Sequence, residues 1–231
     1  MADSGVMSVT DVTLARHVNR CHQYNRAMGR WQPNARGRLE TAAMELYGEH
    51  GFDRTTVAQI AKRAGLTERT FFRHFADKRE VLFAGSGELQ DLLVQTVAEA
   101  PATATPIEAV AAGIEAIGTV LQERRGRAFA RQRQSIVAAS AELRERELNK
   151  MSSLAGALAD ALRKRGVGEP AASLLAEIGI AVFRISFERW VSGPRERDLR
   201  ELMRESLGEV RSLTAEAGVP AASGGPVSHA A

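Results

Sequence analysis

The sequence predicts an all-α protein. Apolar residues recur at helical rather than alternating spacing over nearly the whole chain, no β-branched run has the period of two that a strand needs, and helix-start signals punctuate the pattern. A chain of 231 residues can bury a real core without covalent help. The single cysteine, Cys21, cannot form an internal disulfide, and no Cys/His set has metal-ligand spacing, so no metal or cofactor is expected. The first thirty residues hold no long apolar run; neither a secretory signal nor a membrane span is expected, and a reducing, cytoplasmic setting fits best.

The elements follow in order. Leu39, Ala42, Ala43, Leu46 and Tyr47 fall at i, i+3, i+4, i+7 and i+8, one buried stripe of a first helix that Gly51 closes with Phe52 folding back. Thr56 and Gln59 form a capping box that opens a short second helix with Val57, Ile60, Ala61 and Ala64 on its apolar face. Gly65 supplies a tight turn, and Thr67 caps a third helix running through Phe75. Asp77 and Glu80 form a second capping box, from which a long fourth helix is expected to run to about Ala100, softened at Gly85 and Gly87. Beyond Pro101 come longer amphipathic helices. Thr105, Pro106 and Glu108 start a fifth that ends near Glu123; residues 127–165 hold two more with a break near Ser140; Pro170 opens an eighth, which Ser192, Gly193 and Pro194 stop. Leu199, Leu202, Met203, Ser206, Leu207, Val210 and Leu213 stripe a ninth. The division expected is a weakly patterned extension over 1–30, a three-helix unit over 31–84, a helical domain over 85–217 and a disordered tail over 218–231.

Charge is close to balanced, 31 Lys and Arg against 28 Asp and Glu, which permits nucleic-acid binding without demanding it. Residues 30–84 carry ten basic against seven acidic side chains, and so the whole net charge of +3. Within them the block GFDRTTVAQIAKRAGLTERTFFRHFADKREVLF, Gly51 to Phe83, is specific. Its Gly51-Phe52, Thr55-Thr56-Val57, Ile60-Ala61, Ala64-Gly65-Leu66, Thr70-Phe71, Phe75 and Lys78, in register over about fifty residues from Arg36, resemble the TetR family. The rest of the chain is similar to that family only in helix count, helix lengths and proline positions.

The resemblance implies a helix-turn-helix whose second helix enters the major groove of an operator while the first crosses the backbone. Phe71 and Phe75 read as the core side of that second helix, leaving Thr67, Glu68, Arg69, Phe72, Arg73 and His74 outward as candidate DNA contacts. Arg69 and Arg73 share a face and can reach guanine edges or phosphates. By similarity to the family, Thr56 and Lys78, at the starts of helices two and four, would contact phosphates. The family commonly has tyrosine where this chain has Phe72; without a hydroxyl the ring can pack only against sugar or a thymine methyl. His74 is open between a DNA contact and a hydrogen bond to the fourth helix. Arg30, Arg36 and Arg38 are open between a DNA-binding arm and a solvated face.

The resemblance further implies a homodimer through helices eight and nine on a palindromic operator, and a small-molecule inducer held among helices four to eight, with ligand binding moving helix four to release DNA. Helix eight is apolar on more than one face, and the stripe of helix nine, Leu202 and Leu207 included, is assigned to the interface. Phe129, Arg133, Phe183, Arg184 and Phe187 are the candidate pocket residues; for Arg184 an ion pair is the alternative to an anionic ligand. An enzyme is disfavoured: no nucleophile elbow, Ser/His/Asp set, phosphate-cradling glycine loop or metal signature is present, and His17, His22, His50, His74 and His229 form no spaced pairs with acids. The expected role is a ligand-released repressor.

Overall fold

In the computed structural model, residues 34–216 are described, apart from 125, 195 and 196; the extension, Cys21, Arg30 and the tail lie outside the described residues. These fold into nine α-helices and one 3-10 turn, with no strand among them. They are α1 (Ala35–His50), α2 (Val57–Arg63), α3 (Glu68–His74), a 3-10 turn (Glu80–Phe83), α4 (Ser86–Glu99), α5 (Pro106–Arg124), α6 (Gly126–Ala139), α7 (Ala141–Lys164), α8 (Ala171–Ser192) and α9 (Leu199–Glu216).

Local chemistry sets most of the boundaries. Thr56 accepts from the Gln59 amide while the Gln59 side chain accepts from the Thr56 amide, the reciprocal capping that starts α2. Ahead of α5 half of such a box forms: the Thr105 amide and hydroxyl both donate to the Glu108 carboxylate, while the Glu108 amide donates to the Thr105 carbonyl. Ser140 breaks α6 from α7 by capping the Leu143 amide. Asp198 starts α9 by accepting from the Arg200 amide, and Gln122 of α5 ties that start down, donating to Asp198 and accepting from the Leu199 amide.

The fourth helix is corrected. Asp77 does accept from the Glu80 amide, but the cap opens only the one-turn 3-10 segment, and α4 begins at Ser86. Gly85 lies between them at φ 83°, a left-handed conformation that only glycine adopts without cost, so it ends one element and starts another. Lys78 therefore does not stand at the start of helix four.

Two apolar clusters organise the chain. One gathers Leu39, Ala43, Leu46, Tyr47, Phe52, Ile60, Phe71, Phe75 and Val81–Phe83 and reaches onto α6 and α7 at Ile136, Val137 and Leu143. The other fills the space among α4, α5, α7, α8 and α9 around Leu93, Ile114, Ile117, Leu158, Leu162, Phe183, Trp190, Leu199 and Met203. Leu202 and Leu207 belong to this second cluster, which corrects their assignment to an intersubunit face: with Leu199 and Met203 they are buried within the chain itself, and the Ser186 hydroxyl on α8 staples to the Leu202 carbonyl at 3.1 Å.

Helix α6 joins the two clusters. Arg131 donates to the Val191 carbonyl at 2.9 Å and Arg127 to those of Gly193 and Pro194, so two guanidiniums satisfy carbonyls at the end of α8. On the other side Gln132 donates to Met44 in α1 at 3.0 Å and Arg133 to Leu82 at 2.7 Å.

Candidate nucleic-acid interface

Helix α3 is seven residues long and owes its existence to its anchors. Thr67 caps it, accepting from the Thr70 amide at 3.2 Å, and Phe71 and Phe75, one turn apart, are sunk in the N-terminal cluster with ring centroids 5.5 Å from each other. At Gly65 the turn before it takes φ 64°, and Arg38 closes that turn by donating to the Ala64 carbonyl. Arg36 pairs with Glu40 and lies over the Phe75 ring at 5.6 Å. Both arginines thus brace α1 against the two short helices.

With its apolar side fixed, α3 presents Thr67, Glu68, Arg69, Phe72 and Arg73 to solvent. An open concavity there is lined by Thr67, Arg69, Thr70, Phe72 and Arg73. Thr70 is an addition to the sequence-predicted set: its hydroxyl lies 3.0 Å from that of Thr67, and the i, i+3 spacing of the two threonines was the available signal. Arg69 and Arg73 have no carboxylate or carbonyl partner among the described residues, whereas Arg63 is paired with Glu45 and Glu49 and Arg79 with Asp77 and Glu142. Two like charges one turn apart cost α3 a few tenths of a kcal/mol. His74 is half-buried; burial first, then Arg73 and Arg36, hold its pKa below the usual imidazole value, and its Nε2 is buried without a hydrogen-bond partner among the described residues. Thr56 is exposed at the start of α2, its hydroxyl engaged with Gln59.

Residues 40–84, from within α1 to just past the 3-10 turn, match the family described as bacterial regulatory proteins, tetR family. Over this segment the chain is similar to the TetR family. Over 82 residues it is 34% identical to the HTH-type transcriptional regulator TcmR of Streptomyces glaucescens; that overlap is 36% of each protein, so the chain spans about a third of the length of this curated relative. Among solved structures it is similar to a SmeT–triclosan complex, at 23% identity and a TM-score of 0.57 over 84% of this chain and 99% of that one. It is similar also to FadR from Bacillus subtilis in complex with stearoyl-CoA, at 22% identity and a TM-score of 0.52 over 74% of this chain and 95% of that one. These two likenesses show the fold.

Within this segment Lys78 is engaged internally. Its ammonium donates to the carbonyls of Phe52 at 2.8 Å, Thr55 at 2.9 Å and Asp53 at 3.3 Å, and lies 4.4 Å from the Phe52 ring centre. Its own carbonyl accepts from the Tyr47 hydroxyl at 2.5 Å. An ammonium has three donors, and all three close the connection between α1 and α2. Lys78→Ala is therefore expected to lower folding stability by about 2–4 kcal/mol, since each hydrogen bond from a charged group contributes roughly 1.5–3 kcal/mol and the orphaned carbonyls recover water in part. Urea denaturation measures this. An unchanged midpoint, with a full unit lost from the salt dependence of DNA binding, would make Lys78 a phosphate contact instead.

The candidate pocket residues are not brought together on one element face. Phe129 packs against the N-terminal cluster. Arg133, besides its bond to Leu82, pairs with Glu147 at 2.6 Å and lies 5.0 Å from the Phe83 ring centre. Phe183 is buried in the C-terminal cluster with Phe187 stacked on it at 6.0 Å, and Arg184 is exposed on α8. Sequence reasoning missed the setting of Phe83, which Arg146 at 5.5 Å and Lys150 at 5.0 Å also flank. Lys150 further donates to the Ser86 hydroxyl at the start of α4.

Proposed function

We propose that the chain is a transcriptional repressor that holds a palindromic operator as a homodimer and releases it when a small organic molecule binds the C-terminal helices. The observation that carries the reading is the outer face of α3, where two guanidiniums without a partner among the described residues and an exposed aromatic ring stand on a short helix locked by Phe71 and Phe75. A major groove admits such a helix, and guanine edges and phosphates supply the acceptors Arg69 and Arg73 lack. Thr67, Glu68 and Thr70 complete the face, and Thr56 reaches the backbone from the start of α2. In this reading residues 31–84 bind DNA and residues 85–217 carry the effector site and the interface.

SmeT and FadR, which share the fold, are seen with triclosan and stearoyl-CoA, and this supports a small organic effector among the C-terminal helices, near Phe183 and Phe187. The signal has a short path: Phe83, buried in the N-terminal cluster, is flanked by Arg133 of α6 and by Arg146 and Lys150 of α7. For effective release the effector must favour the non-binding arrangement by a few kcal/mol, roughly 5.5 for a complete switch.

Selection from a random-sequence duplex pool with the full chain, followed by footprinting, tests the reading. The expected outcome is a palindromic site, protected on two successive major grooves, whose affinity falls linearly on a log–log plot against salt. Recovery of no preferred sequence would end the DNA-binding reading. Compounds that raise the melting temperature should also weaken that site; binders that stabilise the protein while leaving operator affinity intact would count against release by ligand.

A further inference from the structure

We propose that Phe72 reads the 5-methyl group of a thymine in each half-site, next to a guanine held by Arg69 or Arg73. This rests on the reading of α3 as the helix that enters the major groove.

Phe72 is 55% exposed, and it is the one aromatic ring among the large apolar side chains that the described residues leave in water. Its neighbour Phe71 is fully buried, and the two rings meet edge to face at 84° with centroids 5.5 Å apart. That contact braces the exposed ring from below. Its outer surface lines the same concavity as Thr67, Arg69, Thr70 and Arg73, so the ring shares one face with the two guanidiniums.

A ring in that place has one partner on the floor of the groove. Phosphate oxygens offer a phenyl group nothing. Every base edge in the major groove presents donors or acceptors, and thymine alone adds an apolar methyl. On the helix Phe72 flanks the Arg69–Arg73 pair on one side, so where the two guanidiniums reach acceptors in the groove the ring covers the neighbouring base edge. The charge of the two guanidiniums draws the helix in, and the ring adds discrimination that charge cannot give.

Replacing thymine by uracil deletes only the methyl and leaves every hydrogen-bonding group of the base in place. Duplexes selected with the wild-type chain are resynthesised with uracil at each thymine in turn, and affinities are measured for wild type and Phe72→Ala. At one thymine per half-site, wild type should bind the uracil duplex about fourfold more weakly, and about fifteenfold when both half-sites carry it, from the transfer of one buried methyl each. Phe72→Ala should bind thymine and uracil forms equally. Its fold is checked by circular dichroism, and an exposed ring leaves no cavity when removed. If no single uracil weakens wild type more than Phe72→Ala while the operator is still bound, the ring lies on sugar and the proposal is overturned. Failure of the selection to yield any sequence would instead overturn the DNA-binding reading beneath it.

Discussion

Arg73→Ala is expected to weaken operator binding by roughly 1–3 kcal/mol per half-site, twice that for a symmetric dimer, with a much smaller loss on scrambled duplex. Arg73 is exposed on α3, one turn from Arg69, and has no partner among the described residues to release before it binds. The adjacent His74 is held toward its neutral form, so at neutral pH the positive charge of this face comes from the two arginines. A bidentate guanidinium on guanine O6 and N7 discriminates against the wrong base, whereas a phosphate contact weakens all sequences alike and lowers the salt slope by about one. Titrations of operator and scrambled duplexes at several salt concentrations separate these outcomes. Equal losses on both duplexes would reassign Arg73 to the backbone and leave base reading to Arg69 and Phe72.

The contrast between Arg73 and Lys78 shows what a sequence reveals and what it withholds. That Arg73 faces outward follows from its offset against Phe71 and Phe75 within two turns, and that information is local. The acceptors of Lys78 lie in the segment Phe52–Thr55, more than twenty residues upstream, and no spacing rule connects them. The same holds for Arg133 and Leu82, and for Arg38 and the carbonyl of Ala64. Capping at Thr56 and Thr105 was legible because each cap and its partner lie three residues apart, whereas at Ser140 only the break itself was. The fourth helix was misread because Asp77 caps the Glu80 amide whether an α-helix or one 3-10 turn comes next, and only the positive φ at Gly85 decides between them.

Helix nine makes the same point with a larger consequence. A hydrophobic stripe says that a face is buried and is silent on what buries it. Leu202 is 3% exposed within its own subunit, so Leu202→Glu is expected to unfold the chain and not to release soluble monomers. The lost side chain costs roughly 2–5 kcal/mol and an unpaired buried carboxyl several more, against a total stability of about 5–15 kcal/mol. In the proposed dimer the surface left for a partner is elsewhere. On α8, Leu174 at 59% and Ile185 at 47% exposure stand on one line with the half-buried Ile178 and Ala181, at i, i+4, i+7 and i+11, and on α9 the exposed Leu213 follows Val210. The double variant Leu174→Glu, Ile185→Glu is therefore expected to keep its urea midpoint, because neither side chain is buried in the subunit, and to sediment as a monomer. Operator affinity should then fall by about 10²–10⁴-fold as the second half-site loses its tether. Sedimentation equilibrium beside urea denaturation distinguishes the two variants: a dimer that survives both glutamates would move the interface off α8, and a soluble, folded Leu202→Glu monomer would restore the stripe of α9 to the subunit boundary.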